Sequence, residues 1–185
     1  EVDEVMIAIR AEDQVDIDRL VSEFSFRKVT QMVSGGRTRQ ESVSHALFHL
    51  KDAPEIVVIH DAARPLVRSE MIDQAVRGAR EHGAIVFGLP PADTVKRMNT
   101  EGHVTETLSR NMLRLIQTPE AFQLSVILQA HLQAKGSEQG ATDDAELVEQ
   151  MGGKVIILPG DPRNIKITSA ADLLLAESFL EGKVA

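Results

Sequence analysis

The chain has 185 residues, of which 43% are hydrophobic and 26% charged, as is usual for a globular protein. Its net charge of −8 argues against a broad nucleic-acid surface, and an aromatic content of 3% is too low for base-stacking platforms. The absence of cysteine excludes disulfides and thiolate metal sites, and neither a signal peptide nor an 18-residue apolar run is visible. These features favour a cytoplasmic protein with no nucleic-acid or membrane partner.

Strand and helix patterns alternate through the first half of the chain. Strands are predicted at 4–10, 28–33, 55–60 and 84–90, and helices at 16–24, within 35–50 and at 69–83. Short strands joined by single helices are typical of a parallel sheet with helices on both faces.

The alternation stops between Pro90 and Phe122. Three strand-like pieces follow one another there without a helix, at 93–98, 103–108 and 113–118. The sequence "NTEG" between the first two is a hairpin turn signal. We therefore predict a β-arm over about 91–118 that projects from the core.

The alternation resumes after the arm. Helices are predicted at 123–135, 142–151 and 170–181, and strands at 154–159 and 164–168. The sequence thus predicts one α/β domain spanning residues 1–185, with a projecting β-arm.

The segment "VVIHDAARPLV" (57–67) is an apolar strand that ends in charged residues. Ligands of open α/β sheets bind beyond the carboxyl ends of strands, which is where Asp61 is expected. Its carboxylate suits a magnesium ion or a ribose hydroxyl, and Arg64 offers a planar fork for phosphate. The alternative is structural: Asp61 caps the loop and Arg64 is its ion-pair partner.

Four further segments carry anion-binding or helix-capping groups: "SGGRTRQES" (34–42), "TLSRNMLRLIQTPEAF" (107–122), "ATDDAELVEQMG" (141–152) and "GDPRNIKIT" (160–168). The glycines of the first would let backbone N–H groups approach an anion at a helix start. Thr142 is a candidate N-cap, with Asp143 and Asp144 in the first turn, and helix capping is the favoured role of these two acids. Lys166 lies in a predicted short strand. Together the segments supply the groups for phosphate chemistry without a protein nucleophile.

The motifs "GGRTRQESV", "VVIHDAARP", "ADTVKR", "QTPEAF", "ATDDAELVE" and "DPRNIKIT" occur in the order and spacing of the 2-C-methyl-D-erythritol 4-phosphate cytidylyltransferases, which the chain resembles over nearly its whole length. The resemblance implies a Rossmann-like nucleotidyltransferase fold, a homodimer formed through the β-arm, and Mg²⁺ or another divalent metal. The implied reaction joins CTP and methylerythritol phosphate, giving the cytidine-diphosphate product and pyrophosphate in non-mevalonate isoprenoid biosynthesis.

The resemblance also implies a set of site residues. Those implied to contact the nucleotide are Gly35, Gly36, Ser42, Asp61 and Ala62, with Asp61 also near the metal. Those implied to hold methylerythritol phosphate or line the pocket edge are Arg64, Thr94, Arg110, Thr118, Thr142 and Lys166. Asp61, Arg110 and Lys166 are the implied catalytic residues, and Thr94 and Arg110 are expected to reach the neighbouring subunit's site.

Two alternatives to this function remain open. A cytidylyltransferase acting on ribitol 5-phosphate would share most of these motifs. The family also has an N-terminal strand and a glycine-rich loop that carries an arginine and a lysine, and this chain begins after that point, at Glu1. The second alternative is therefore a non-catalytic nucleotide-binding or dimerisation module.

Overall fold

The computed structural model describes residues 2–135 and 140–182. The strands in this part of the chain are β1 (Val5–Ile9), β2 (Val29–Ser34), β3 (Ile56–Ile59), β4 (Ala84–Leu89), β5 (Lys96–Met98), β6 (Val104–Thr107), β7 (Leu115–Gln123) and β8 (Ile156–Pro159). The α-helices are α1 (Gln14–Glu23), α2 (Arg39–Phe48), α3 (Ser69–His82), α4 (Leu124–Ala134), α5 (Asp144–Gln150) and α6 (Ala170–Leu180). Each predicted helix is found within a few residues of its expected bounds.

The main sheet has four strands in the order β3-β7-β4-β8. β7 pairs antiparallel with both β3 and β4, and β4 pairs parallel with β8. Consequently β3, β4 and β8 all run in one direction and β7 runs against them. The predicted α/β class and mostly parallel core are confirmed.

Strand β7 corrects the predicted extent of the arm. The piece at 113–118 was expected in the arm, but it belongs to β7, whose residues Gln117 to Phe122 are all buried. A central strand is covered on both faces, so its consecutive residues are all buried. Gln117, Thr118 and Glu120 conceal this run in the sequence because they are polar, and the prediction of a third arm strand is wrong.

A second, two-stranded sheet is formed by β1 and β2, which pair in parallel. Across the described residues, no hydrogen-bonded ladder joins this pair to the four-stranded sheet. Gly35 continues the contact past the end of β2, because its N–H donates to the carbonyl of Ile9 (2.7 Å). The start of α2 is thereby fixed against the end of β1.

Helices cover both faces of the main sheet, as predicted. On one face, α3 packs against Ile85 and Phe87 of β4. On the other face, helices α2, α4 and α5 pack against Val86 and the fully buried Phe122. Successive residues of β4 thus point to opposite cores, as the two-residue period of a strand requires.

The arm itself is the antiparallel hairpin of β5 and β6, and every residue of both strands is exposed. Its turn forms at the predicted "NTEG": the Asn99 side chain accepts hydrogen bonds from the N–H groups of Glu101 and His103. Gly102 has a φ of 85°, a left-handed conformation that favours glycine. In the described part of the chain, no helix is long and apolar enough to cross a membrane.

Candidate active site

The turn after β3 is fixed by His60 and Thr118. The Asp61 N–H donates to Thr118 Oγ1 (3.0 Å), and Thr118 Oγ1 lies 3.1 Å from His60 Nδ1. His60 Nε2 lies 3.1 Å from the carbonyl of Arg64, which can only accept, so Nε2 carries the proton and Thr118 donates to Nδ1. Burial lowers the pKa of His60, although the Arg64 carbonyl and Asp61 oppose it, which favours this neutral form.

Asp61 lies among three cations. Its Oδ2 is 2.9 Å from Lys166 Nζ and 3.7 Å from Arg64 Nε, and its Oδ1 is 3.4 Å from Arg39 Nε. Burial alone would raise the pKa of Asp61, but Lys166 and Arg39 outweigh it and lower the pKa. Arg64, the ion-pair partner named by the structural alternative, is the most distant of the three cations.

Lys166 is placed by a loop and not by the predicted strand. Residues 164–168 form no strand, although the Ile167 N–H donates to the carbonyl of Ala63 (2.8 Å). The loop is clamped to β7: Gln117 Nε2 donates to the Asp161 carbonyl (3.0 Å), and the buried Asn164 donates to the Thr118 carbonyl (2.7 Å). Hydrogen bonds from side chains to backbone carbonyls therefore hold this loop, in place of the strand pairing that the sequence pattern predicts.

Arg64 supports the same loop from the other side. Its guanidinium donates to the carbonyl of Asn164 (2.9 Å) and lies 3.5 Å from that of Ile116. The side chain is 12% exposed. Two of its nitrogens thus bind backbone carbonyls, and Lys166 (44% exposed) is the more accessible of the two cations.

A cluster of buried ionisable groups lies behind Asp61. Arg39 Nη1 is 2.5 Å from Asp144 Oδ2, and His131 Nε2 is 2.9 Å from Asp144 Oδ1. Glu120 Oε2 accepts from the Asp144 N–H (3.1 Å) and lies 3.9 Å from Arg39 Nη2. Burial, followed by Asp144 and Asp143, raises the pKa of Glu120 to about 8, against the opposing effect of Arg39.

A cavity of about 150 Å³ opens over these groups, lined by Arg39, Asp61, Arg64, Ile116, Gln117, Thr118, Glu120, Thr142, Asp143 and Lys166. It is smaller than the roughly 300–1,000 Å³ typical of ligand pockets. Five predicted residues meet here: Asp61, Arg64, Thr118, Thr142 and Lys166.

The predicted N-cap of α5 is displaced by one residue. Asp143 caps the helix by accepting from the Glu146 N–H (2.8 Å). Thr142 instead donates to Glu146 from both its N–H and its hydroxyl (2.7 and 3.0 Å), and these bonds lower the pKa of Glu146. The predicted capping role is thus confirmed for Asp143, whereas the Asp144 side chain mainly pairs with Arg39 and His131.

The glycine loop before α2 contributes no side chain to the cavity lining. The Gly36 N–H donates to Ser42 Oγ (3.0 Å), and the Ser42 hydroxyl donates to the Thr38 carbonyl (2.9 Å). A Cβ on Gly36 would lie 2.1 Å from the Cβ of Glu41, so only glycine fits. In this structure Gly35, Gly36 and Ser42 close a tight turn, and Ala62, like them, is not part of the lining.

Arg110 and Thr94 are also outside the cavity. Arg110 donates to the Ala92 carbonyl and lies in a separate depression of about 480 Å³ at the base of the arm, lined by Pro90, Pro91, Arg110, Asn111 and Arg114. Thr94 precedes β5 and is exposed. Within one chain, these two predicted acceptor-binding residues do not join Asp61 in its cavity.

Sequence reasoning missed Arg39, Glu120 and His131. Two signals were available. Arg39 follows the N-cap Thr38, where the helix dipole disfavours a cation, so a carboxylate partner was to be expected. Glu120 lies between the apolar residues of "LIQTPEAF", where a lone carboxylate in a buried strand needs an explanation. His131 carries no comparable signal.

The comparisons with known proteins agree with one another. The model of the family described as 2-C-methyl-D-erythritol 4-phosphate cytidylyltransferase matches residues 1–182. The chain is 41% identical over 178 residues to the protein of that name from Bacillus cytotoxicus, covering 96% of this chain and 78% of that protein. It is 38% identical to the one from Syntrophus aciditrophicus, covering 99% and 80%.

Solved structures give the same result. The 4-diphosphocytidyl-2C-methyl-D-erythritol synthase of Anaerococcus prevotii matches with a TM-score of 0.88 and 30% identity, covering 97% of this chain and 82% of that one. The 2-C-methyl-D-erythritol 4-phosphate cytidylyltransferase of Thermus thermophilus matches with a TM-score of 0.74 and 33% identity, covering 83% and 74%. The chain therefore belongs to the 2-C-methyl-D-erythritol 4-phosphate cytidylyltransferase family, nucleotidyltransferases that join CTP to methylerythritol phosphate in non-mevalonate isoprenoid biosynthesis.

Proposed function

We propose that this chain transfers a cytidylyl group from CTP to 2-C-methyl-D-erythritol 4-phosphate at the cavity around Asp61. The observation that supports this most directly is the grouping of Lys166, Arg39 and Arg64 around one carboxylate at the carboxyl end of β3. The acceptor phosphate attacks the α-phosphorus of CTP, and pyrophosphate leaves. Since the acceptor supplies the nucleophile, the protein has to position two anions and neutralise their repulsion.

The proposed roles follow from position. Asp61 meets the nucleotide, and Ala62 beside it leaves room for backbone approach. Lys166 holds the acceptor phosphate. Thr118 and Thr142 lie at the pocket edge. Gly35, Gly36 and Ser42 would contact the nucleotide from their tight turn, outside the lining of the cavity.

We propose Mg²⁺ as the metal, held by Asp61 together with substrate phosphates and water. Magnesium commonly binds through one or two carboxylates and substrate phosphates, which suits the Asp61 carboxylate. Among the residues described, no three His, Asp or Glu side chains are arranged to hold a metal by themselves. When bound, the ion would neutralise charge on the nucleotide phosphates.

We propose that the acceptor site is completed by a second copy of the chain. Exposed apolar side chains follow the arm and its base: Met98 (70%), Val104 (62%), Met112 (84%) and Leu115 (58%). A two-stranded hairpin with unpaired edges is marginal by itself and gains stability by pairing. Arg110 and Thr94, which lie outside their own chain's cavity, would then reach the partner's. A cytoplasmic location is part of the same proposal.

The decisive experiment offers the full-length protein CTP, Mg²⁺ and either methylerythritol phosphate or ribitol 5-phosphate, with products weighed by mass spectrometry. A cytidine-diphosphate product from methylerythritol phosphate alone is expected. The same product from ribitol 5-phosphate would assign the sister activity, and CTP binding without any product would indicate a non-catalytic module. Asp61→Asn should bring turnover close to background while circular dichroism stays unchanged.

A further inference from the structure

Arg39 occupies a position that the helix dipole disfavours. It is the first residue of α2, directly after the N-cap Thr38, so its positive charge faces the positive end of the helix. The side chain is 32% exposed and forms part of the cavity wall. Carboxylate partners must offset this unfavourable placement.

The guanidinium reaches three carboxyl groups with three different nitrogens. Nη1 is 2.5 Å from Asp144, Nε is 3.4 Å from Asp61, and Nη2 is 3.9 Å from Glu120. Because the guanidinium is a rigid plane, fixing the Asp144 contact also fixes the direction in which Nε meets Asp61.

Asp144 is in turn held by buried groups. His131 Nε2 lies 2.9 Å from Asp144 Oδ1, and both side chains are 1% exposed. A carboxylate can only accept, so His131 donates. The backbone N–H of Asp144 donates to Glu120 Oε2 (3.1 Å). Contacts from α4 and β7 thus hold Asp144, the first residue of α5, whose carboxylate contacts Arg39.

The two oxygens of Asp61 depend on different cations. Oδ2 lies near Lys166 and Arg64, whereas Arg39 is the cation that contacts Oδ1. Without Arg39, the positive charge near Asp61 would be on one side only, and the carboxylate could rotate toward it. We propose that Arg39 is a positioning residue for cytidylyl transfer, which orients Asp61 and is itself held in place by the buried Asp144–His131 pair. This assignment rests on the proposed role of Asp61 at the nucleotide.

The first experiment measures steady-state kinetics of Arg39→Lys, His131→Leu and His131→Gln in the full-length protein. Arg39→Lys and His131→Leu should lower kcat and raise KM for CTP, with kcat/KM reduced on the order of ten- to a hundred-fold. KM for methylerythritol phosphate should be unchanged. His131→Gln keeps a donor toward Asp144 and should recover most of the activity. Arg19→Lys, which alters an exposed pair with Asp16, is the matched control and should behave as wild type.

The second experiment combines Arg39→Lys with Asp61→Asn and measures CTP affinity by calorimetry, because the turnover of Asp61→Asn is expected to be close to background. If Arg39 acts through Asp61, the double variant should bind CTP no more weakly than Asp61→Asn alone. Multiplying losses of CTP affinity would overturn the proposal, because Arg39 would then act on the substrate directly. An inactive Asp61→Asn beside fully active Arg39→Lys and His131→Leu would overturn the Arg39 assignment alone. A fully active Asp61→Asn would instead overturn the proposed role of Asp61, and the Arg39 assignment with it.

Discussion

Glu120 offers a sharp test of the buried cluster, through the substitution Glu120→Gln. The native side chain is 1% exposed, and burial together with Asp144 and Asp143 raises its pKa to about 8. In the unfolded chain the carboxyl returns to an ordinary pKa of about 4.5. Glutamine has the same shape, keeps an oxygen that can accept from the Asp144 N–H, and carries no titratable proton.

The sign of the effect follows from proton uptake on folding. Below about pH 4.5 the carboxyl is protonated in both states, so Glu120 adds no pH dependence. Between about 4.5 and about 8 the folded state holds a proton that the unfolded state has lost, so the free energy of unfolding decreases as the pH rises. Each pH unit in that window is worth roughly 1.4 kcal/mol. The full decrease is on the order of 5 kcal/mol, and above pH 8 it no longer grows.

Urea unfolding of wild type and Glu120→Gln at pH 5, 6.5 and 8 measures this directly. The free energy of unfolding of the variant should exceed that of wild type by a margin that grows with pH, to several kcal/mol at pH 8. Glu149→Gln, which removes an exposed carboxylate from α5, serves as the control for the loss of one negative charge. A difference between Glu120→Gln and wild type that stays constant from pH 5 to pH 8 would refute the reasoning.

Three further predictions concern substrate binding and the Lys166 loop. Lys166→Ala should reduce kcat/KM for methylerythritol phosphate by tens-fold or more, on the order of 2 kcal/mol, with CTP binding by calorimetry little changed. Loss of CTP affinity with normal acceptor kinetics would show that Lys166 binds CTP and not the acceptor. Arg110→Ala should have a similar effect and Arg110→Lys should recover part of it, because a point charge cannot replace a planar fork; wild-type kinetics of Arg110→Ala would contradict this. Asn164→Ala should lower the free energy of unfolding by roughly 1–3 kcal/mol, since it leaves the buried Thr118 carbonyl without its donor, and an unchanged urea midpoint would disprove this clamp.

The sequence was sufficient to predict elements whose pattern comes from a single physical cause. Helix α3 has an apolar period, helices α2, α5 and α6 have polar N-caps, and strands β3 and β4 are runs of apolar residues, so these elements could be predicted. The sequence was misleading where polar residues of a buried strand form hydrogen bonds at the candidate site. Strand β7 contains Gln117, Thr118 and Glu120, which bind a loop, a turn and a helix start, and their polarity resembles that of a solvent-facing arm.

In the loop that carries Lys166, the sequence pattern predicts a strand that does not form. Its alternation of isoleucine with polar residues predicts a strand, yet the chain there is held by the side chains of Gln117 and Asn164. Side-chain clamps of this kind join residues more than 40 positions apart and leave no local pattern. The same holds for Arg39 and Asp144, which are 105 residues apart in the sequence. The sequence could therefore indicate candidates such as Asp61 and Lys166, but not the pairing that positions them.

The protonation of Glu120 also bears on how an acidic protein would bind a polyphosphate. The whole chain carries a net charge of −8, which repels CTP at long range. The cavity wall is different: three cations, Arg39, Arg64 and Lys166, are balanced by Asp61, Asp143 and the Asp144 that pairs with Arg39, and Glu120 is neutral below about pH 8. Ionised Glu120 would add a fourth negative charge beside these three cations. The buried proton on Glu120 thus keeps the wall from becoming negative, so the destabilising burial of this acid favours the binding of an anion at the proposed nucleotide site.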